Sequence, residues 1–158
     1  MTAVPTDVSR AVLEKEVTDA APWAERHSWE LKLVPDQLVL DVRMRHPADE
    51  GPLLLRGEFV GYRAVPPLWL FLDSQTLSVT PHAWPSRGAG GNPSSILHSV
   101  GIICAHFSRR AYAAESGPHD WGGLANWAQV HEGVHAETVG EMLAAIDAHL
   151  RYSPGRMG

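Results

Sequence analysis

Cysteine is the scarcest reactive residue of this chain: Cys104 stands alone among 158 residues. A single cysteine cannot form an internal disulfide, so we expect a reducing, cytoplasmic environment. No apolar run approaches the length of a membrane span, and residues 1–10 lack the apolar centre of a signal peptide. Lysine and arginine are nowhere concentrated along the sequence, and the formal net charge is -5, which disfavours nucleic acid as the main partner.

Common catalytic and nucleotide-binding motifs are also missing. The sequence contains no glycine-rich phosphate loop, no serine in a nucleophile elbow and no His-Glu-x-x-His pair. The sequence has the composition of a globular protein, with 44% apolar and 20% charged residues. Its six tryptophans predict a compact core with an aromatic-walled groove. We therefore expect one domain over residues 1–158, with a loose leader at 1–6 and a loose tail at 152–158.

Helical periodicity marks both ends of the chain. Near the start, apolar residues recur at helical spacing, at Val8, Val12, Leu13 and Val17. Asp7 or Ser9 is a candidate N-cap, and we expect this helix to end before Pro22, because the residue that precedes a proline is pushed out of the α region. Near the end, a helix is predicted from about Thr138 to Leu150. Its apolar stripe consists of Val139, Met142, Leu143, Ile146 and Leu150.

Between the helices, the apolar period changes from helical to alternating. Strands are predicted around residues 29–33, 38–44, 53–60 and 68–72, and their short connections imply an antiparallel meander. Residues 80–95 are rich in proline, glycine and serine, which predicts a long surface loop of the kind that often carries function. The predicted fold class is therefore α+β: a helix, a four-stranded antiparallel meander, a long loop and a second helix.

Cys104 ends the apolar segment 96–105 and is the strongest candidate for chemistry. A cysteine nucleophile has to be reachable and has to ionise, and both are easier at the end of an apolar segment beside a loop. The alternative is a buried cysteine that packs as a small hydrophobic residue. We expect Cys104 to be partly exposed, although the motif alone leaves both interpretations open.

His106 follows two residues after the cysteine. If the segment is extended, both side chains point to the same side of it, because strand side chains alternate. The imidazole is then a candidate partner for the Cys104 thiolate, or both groups are candidate ligands of one metal ion. A closed zinc site needs four ligands, so this pair alone does not define one. A surface histidine is the simpler alternative.

Further polar candidates are His119, Asp120 and Glu58. The first two follow a Gly-Pro turn, which offers the chain a way to bring His119 back towards Cys104, with Asp120 orienting an imidazole. Glu58 interrupts an apolar strand, so it either faces solvent or points into a polar site with a metal or histidine partner. Other histidines are expected at the surface: His82, His98, His131, His135 and His149.

The order of these elements, together with several local motifs, resembles the ubiquitin-conjugating (E2, UBC) fold. Tyr62-Arg63-Ala64-Val65-Pro66-Pro67 is similar to the family's tyrosine-to-proline-proline segment, and residues 68–72 stand where its fourth strand follows. Gly101-Ile102-Ile103-Cys104 is similar to the segment that carries the family's active cysteine, with the long loop before it. The predicted C-terminal helix takes the place of the helix after that cysteine. The resemblance extends over nearly the whole chain.

The chain departs from that family in having no His-Pro-Asn motif before the cysteine, although Asn92-Pro93 and His98 lie in the right region. Segments 104–110 and 117–121 look more like those of bacterial E2-related proteins encoded beside ubiquitin-like proteins, E1-like activators and deubiquitinase-like peptidases. One such group is a predicted metal-binding family named for a Cys, a Glu and two His. The matching set in this chain is Cys104, Glu58, His106 and His119.

The resemblance implies a bacterial, antiphage-defence conjugation pathway. In it, Cys104 accepts the C-terminus of a ubiquitin-like protein as a thioester, with His106, His119 and Asp120 in support and no cofactor. The implied partners are the ubiquitin-like protein, an E1-like activating enzyme and a second E2-like subunit, with neither nucleic acid nor membrane. The alternative that it implies is a non-catalytic variant that scaffolds the complex and binds zinc through Glu58, Cys104, His106 and His119.

Overall fold

The computed structural model describes residues 4–87, 95–98, 100–113, 121–131 and 133–157, and these form an α+β fold. The order of a first helix, four strands and a last helix is as predicted. The helices are α1 (Thr6–Arg26), α2 (Arg109–Ala113) and α3 (Val139–Leu150), and the strands are β1 (Glu30–Val34), β2 (Val39–Arg45), β3 (Pro52–Glu58) and β4 (Leu68–Leu72). None of the helices in these ranges has both the length and the apolar character that crossing a bilayer requires.

The four strands form one antiparallel sheet in the order β1-β2-β3-β4, which confirms the predicted meander. Side chains alternate between the two faces of the sheet, and one of these is the core face. On it, the cross-strand neighbours Val42, Leu55 and Phe71 are fully buried. β3 ends at Glu58, earlier than predicted, although the N–H of Phe59 still donates to the carbonyl of Leu38, the residue opposite it, at 2.8 Å.

Helix α1 continues through Pro22 to Arg26, so the prediction that it ends before this proline is wrong. A proline inside a helix removes one hydrogen bond and disfavours the α region for the residue before it. Tertiary packing offsets that cost here, because Ala20 and Ala24, on either side of the proline, are both buried in the core. Continuing the helix is what brings Ala24 to its buried position.

The start of α1 also differs from the prediction. Thr6, the last residue of the predicted leader, is already helical, and no side chain caps the helix. Asp7 lies in the first turn, where a negative charge suits the helix dipole. Ser9 is buried and donates from Oγ to the carbonyl of Tyr62 at 2.6 Å, which attaches α1 to the segment between β3 and β4.

Helix α3 confirms the predicted C-terminal helix and its buried face. Thr138 is the N-cap, and it forms a capping box with Glu141, in which each side chain accepts from the other residue's backbone N–H. The predicted stripe is buried throughout: Val139, Met142, Leu143, Ile146 and Leu150. This face packs against α1 and the core face of the sheet, so α1 and α3 together close the hydrophobic core.

The C-terminal tail is docked along residues 152–157, in contrast to the loose tail expected there. The N–H of Met157 donates to the carbonyl of Trp84 at 2.8 Å, and the guanidinium of Arg156 pairs with Asp49 at 3.1 Å. Desolvation opposes ionisation of Asp49, but hydrogen bonds from Arg156 and Gly51 lower its pKa to about 2. The tail thereby lies against the backbone of the fully buried Trp84, and Met157 packs on the hydrophobic core.

Candidate functional site

Cys104 lies at the exit of a short β-bridge that joins Leu97 to Ile103. Gly101 makes the reversal between them possible, because its φ of 91° is in the region that glycine favours. The N–H of Cys104 donates to the carbonyl of Ile96 at 2.7 Å, which fixes the backbone of the cysteine. Its side chain is partly exposed, as expected, although Ile103 just before it is fully buried.

The surroundings of the Cys104 thiol are mainly apolar. Cys104 packs against a small cluster of buried residues, separate from the main core, that consists of Ala111, Trp121 and Val130. Tyr112 borders the same cluster, and its hydroxyl donates to the carbonyl of His106 at 2.8 Å. Burial in this setting raises the pKa of the Cys104 thiol and raises that of Tyr112 to about 12. The thiol is therefore reachable but holds its proton more tightly than an ordinary cysteine.

His106 is 1% exposed and both of its ring nitrogens have backbone partners. Nδ1 lies 2.6 Å from the carbonyl of Trp127, to which it donates, and Nε2 accepts the N–H of Ala136 at 2.9 Å. These two bonds define a neutral tautomer, and burial lowers the pKa of the imidazole further. His106 thus ties the 3-10 helix Leu124–Gln129 to the segment that leads into α3.

Cys104 and His106 can lie on the same side of the chain only if the segment between them is extended. The chain instead turns at residues 105–107, and the two side chains have different surroundings: the thiol is partly exposed, whereas the imidazole is buried. A catalytic or metal-binding role for His106 stays a prediction. It requires His106 to exchange one of its two backbone hydrogen bonds for the new partner.

Three histidine rings stack beside Trp127, a feature that sequence reasoning missed. The His135 ring lies parallel to that of His106, with centroids 4.8 Å apart, and His131 stacks on His135 at 4.6 Å. Trp127 stacks on the other side of His106 at 6.0 Å. The available signal in the sequence was the four-residue spacing of His131 and His135, which would share one face of a helix. Gly133 between them disfavours a helix, so both histidines were expected at the surface.

His135 differs from His106 in the partners of its nitrogens. Its Nδ1 donates to the carbonyl of Val130 at 2.6 Å, and its Nε2 lies 3.2 Å from a carboxylate oxygen of Glu137. Partial burial opposes protonation, but these two acceptors outweigh it and raise the pKa of His135. The stack thus contains one imidazole held neutral and a neighbour that favours the charged form.

Of the other predicted site residues, the structure describes Glu58 but not His119 or Asp120. His119 and Asp120 fall at residues 114–120, outside the described ranges, so the predicted return of His119 to Cys104 stays a prediction. Glu58 is partly buried at the end of β3, and alternation places it on the sheet face opposite Gly57 and the core. Its charge acts on Arg109 of α2.

A metal site was the alternative use of Cys104, Glu58, His106 and His119. Within the part of the chain that the structure describes, no three cysteine, histidine or acidic side chains are grouped closely enough to hold a metal ion. His106 is committed to two backbone bonds and Glu58 lies on the outer sheet face. Because His119 lies outside the described ranges, a zinc site formed by all four residues stays a prediction.

The segment before β4 is fixed from several sides and supports the cysteine's neighbourhood. Arg109 of α2 donates to the carbonyls of Val60, at 2.7 Å, and Pro66, at 3.0 Å. The indole N–H of Trp127 donates to the carbonyl of Arg63 at 2.9 Å. The tyrosine-to-proline-proline segment therefore joins α2 and the His106 region into one rigid support.

Comparison with known proteins adds no family assignment. No protein-family model matches the chain, and no curated protein matches it significantly.

Proposed function

We propose that this protein is an E2-like carrier, with a UBC-like fold, that receives the C-terminus of a ubiquitin-like protein on Cys104 as a thioester. The observation that carries the proposal is the position of Cys104: a partly exposed thiol, on a backbone fixed by the Leu97–Ile103 bridge, at the edge of a small apolar cluster. The order of a first helix, a four-stranded meander, a cysteine segment and a last helix supports the same interpretation.

The proposed step is a transthioesterification. The Cys104 sulfur attacks the thioester carbonyl that joins the ubiquitin-like protein to its E1-like enzyme, and a new sulfur–carbon bond forms as the old one breaks. The E1 cysteine leaves as a thiolate and takes up the proton that Cys104 gives up. No oxidant, reductant or metal is needed, and the energy of one thioester is conserved in the other.

The raised pKa of Cys104 shapes how such a carrier operates. At neutral pH little of the thiol is ionised, so reaction waits until a partner brings a base or a positive charge to the sulfur. His106 is occupied by its backbone bonds, and the proposal therefore assigns this role to a group outside the described ranges, with His119 the candidate in this chain, or to the E1-like partner.

One observation favours a second candidate, a non-catalytic E2 variant that scaffolds the same complex. The thiol's pKa is raised and the nearest histidine in sequence is locked in a neutral structural role. In that case the fold would present binding surfaces while Cys104 packs as a hydrophobic residue. Zinc binding through Glu58, Cys104, His106 and His119 stays a prediction for this candidate, because His119 lies outside the described ranges.

The test is a reconstitution with the E1-like enzyme and the ubiquitin-like protein encoded nearest to this protein's gene, plus ATP. The carrier predicts an adduct with the mass of both chains that disappears on addition of dithiothreitol. C104S should give an adduct that resists dithiothreitol, and C104A should give none. R110Q, which alters an exposed arginine on α2, is the control and should form the adduct normally. Binding of the E1-like enzyme without any adduct supports the scaffold instead.

A further inference from the structure

Two adjoining grooves lie at the end of the molecule where α1, β1, β2 and α3 meet, away from Cys104. Their volumes are about 430 and 380 Å³, and they share His27, Ser28, Trp29 and Arg45 as lining residues. The two grooves therefore adjoin along the α1–β1 turn, and we refer to them together as the channel. Trp29 lines both grooves and Met44 lines the first, and these two largely buried side chains contribute apolar surface there.

The channel is lined by arginines from distant parts of the sequence. Arg26 comes from the last turn of α1, Arg43 and Arg45 from the end of β2, and Arg151 from the residue after α3. Both β2 arginines are exposed. The only acidic residues among the lining side chains are Glu30 and Asp147, so the channel has a net positive charge, whereas the whole chain carries -5.

Most of this positive charge is not neutralised internally. Asp147 pairs with Arg151 at 3.0 Å, and Arg45 donates one hydrogen bond to the carbonyl of Glu50. Among the described residues, no carboxylate lies within ion-pair distance of the guanidiniums of Arg26, Arg43 or Arg45. An exposed cluster of like charges costs free energy through mutual repulsion, and a bound anion removes that cost.

We propose that this channel binds an acidic, extended segment of a protein partner. A guanidinium group can donate two parallel hydrogen bonds to one carboxylate, so Arg26, Arg43 and Arg45 are suited to aspartate and glutamate side chains. The apolar surface of Trp29 and Met44 is suited to an apolar side chain that lies between those acidic side chains of the partner. The site is independent of Cys104 and of the carrier proposal.

The same features disfavour a polyphosphate partner. A nucleic acid presents regularly spaced charge and little apolar surface to a groove. Glu30 also lies in the channel, in register with Arg43, and would oppose a dense row of phosphates. An acidic peptide can place its carboxylates selectively beside the arginines.

The experiment uses the full chain and a short fluorescein-labelled peptide of alternating glutamate and leucine, with binding followed by fluorescence anisotropy. The peptide should bind the native protein at low salt and more weakly at about 0.15 M salt, where charges are screened. The double variant R43Q/R45Q should weaken binding by about tenfold or more, since each guanidinium–carboxylate bond is charge-assisted. R110Q is the matched control, because α2 packs on β4 at the opposite edge of the sheet from β1.

The folding of each variant is checked by its thermal unfolding transition, which should not fall, because both β2 arginines are exposed and their removal relieves repulsion between like charges. Equal loss of binding in R110Q and in R43Q/R45Q would overturn the assignment of the channel. So would equal binding of a matched glutamine–leucine peptide, or tighter binding of an oligonucleotide of the same length.

Discussion

The carboxylate of Glu16, in the middle of α1, accepts the backbone N–H of Val139, the first residue of α3, at 2.9 Å. The same carboxylate accepts the Tyr62 hydroxyl at 2.7 Å and pairs with Arg63 at 3.0 Å. Glu16 is only 8% exposed, so its charge is compensated almost entirely by these three groups. One side chain therefore joins both long helices to the segment that precedes β4.

Replacing Glu16 with Ala should strongly destabilise the fold. The change leaves the Val139 N–H, the Tyr62 hydroxyl and the Arg63 guanidinium without their shared acceptor. Each buried donor left unsatisfied costs about 1–3 kcal/mol, whereas the Arg63 side chain is 35% exposed and can be solvated. Urea unfolding measures the loss, and Glu14→Ala on the exposed side of α1 is the control, expected to change stability by less than about 0.5 kcal/mol. Equal effects of the two changes would contradict the role of Glu16.

Leu143→Ala should create a cavity between α3 and the rest of the core. Leu143 is 0% exposed, and removing a buried leucine side chain to this extent costs about 2–5 kcal/mol. The control is Val8→Ala on α1, where the valine is 48% exposed and little apolar burial is lost. Urea denaturation curves should separate the two variants clearly. A loss for Leu143→Ala that matches the control would place this face of α3 outside the core.

Alkylation of Cys104 by iodoacetamide should be slower than that of a small thiol at neutral pH. Burial raises the pKa of Cys104, and only the thiolate reacts, so the rate should keep rising with pH beyond the range where an ordinary cysteine levels off. The measurement is the rate constant for modification as a function of pH, followed by mass spectrometry. A plateau near or below the usual cysteine pKa would contradict the prediction. A folded protein that reacts only after denaturation would contradict the exposure of the thiol.

Acidification should weaken the fold partly through His106. Its pKa is lowered from 6.5 by burial, so the unfolded chain takes up a proton at a higher pH than the folded one. The contribution of neutral His106 to stability is therefore complete above pH 6.5 and is lost as the pH falls towards the folded pKa. His46 and His149, whose pKa values are also lowered by burial, act in the same direction, whereas the raised pKa of His135 acts in the opposite one.

The measurement that isolates His106 is the free energy of unfolding of the native protein and of His106→Gln, each at several pH values below 6.5. Glutamine cannot take up a proton in this range, so the variant should lose less stability per unit of acidification than the native protein. Parallel pH profiles for the two proteins would show that His106 does not contribute to the acid sensitivity.

The strands and the last helix were predictable because their signals are local. Alternation within residues 38–44 reports which side chains share a face, residues 68–72 form a short apolar run, and short turns allow only an antiparallel neighbour. The capping pair Thr138 and Glu141, followed by apolar residues at helical spacing, fixes the start and the buried face of α3. Cys104 was likewise identifiable as a candidate for chemistry, because a single cysteine at the end of an apolar segment is recognisable without structural context.

Where side chains from separate segments meet was decided only by the tertiary structure. Pro22 predicts a helix end by local rules, but burial of Ala20 and Ala24 outweighs the local cost. His106 and His135 carry no local sign that their rings are parallel, and Arg26 and Arg151 are remote in sequence from the arginines of β2 that share their channel. Periodicity tells which face of an element is buried but not what lies across from it. That depends on the sum of many weak long-range contacts, which no short window of sequence contains.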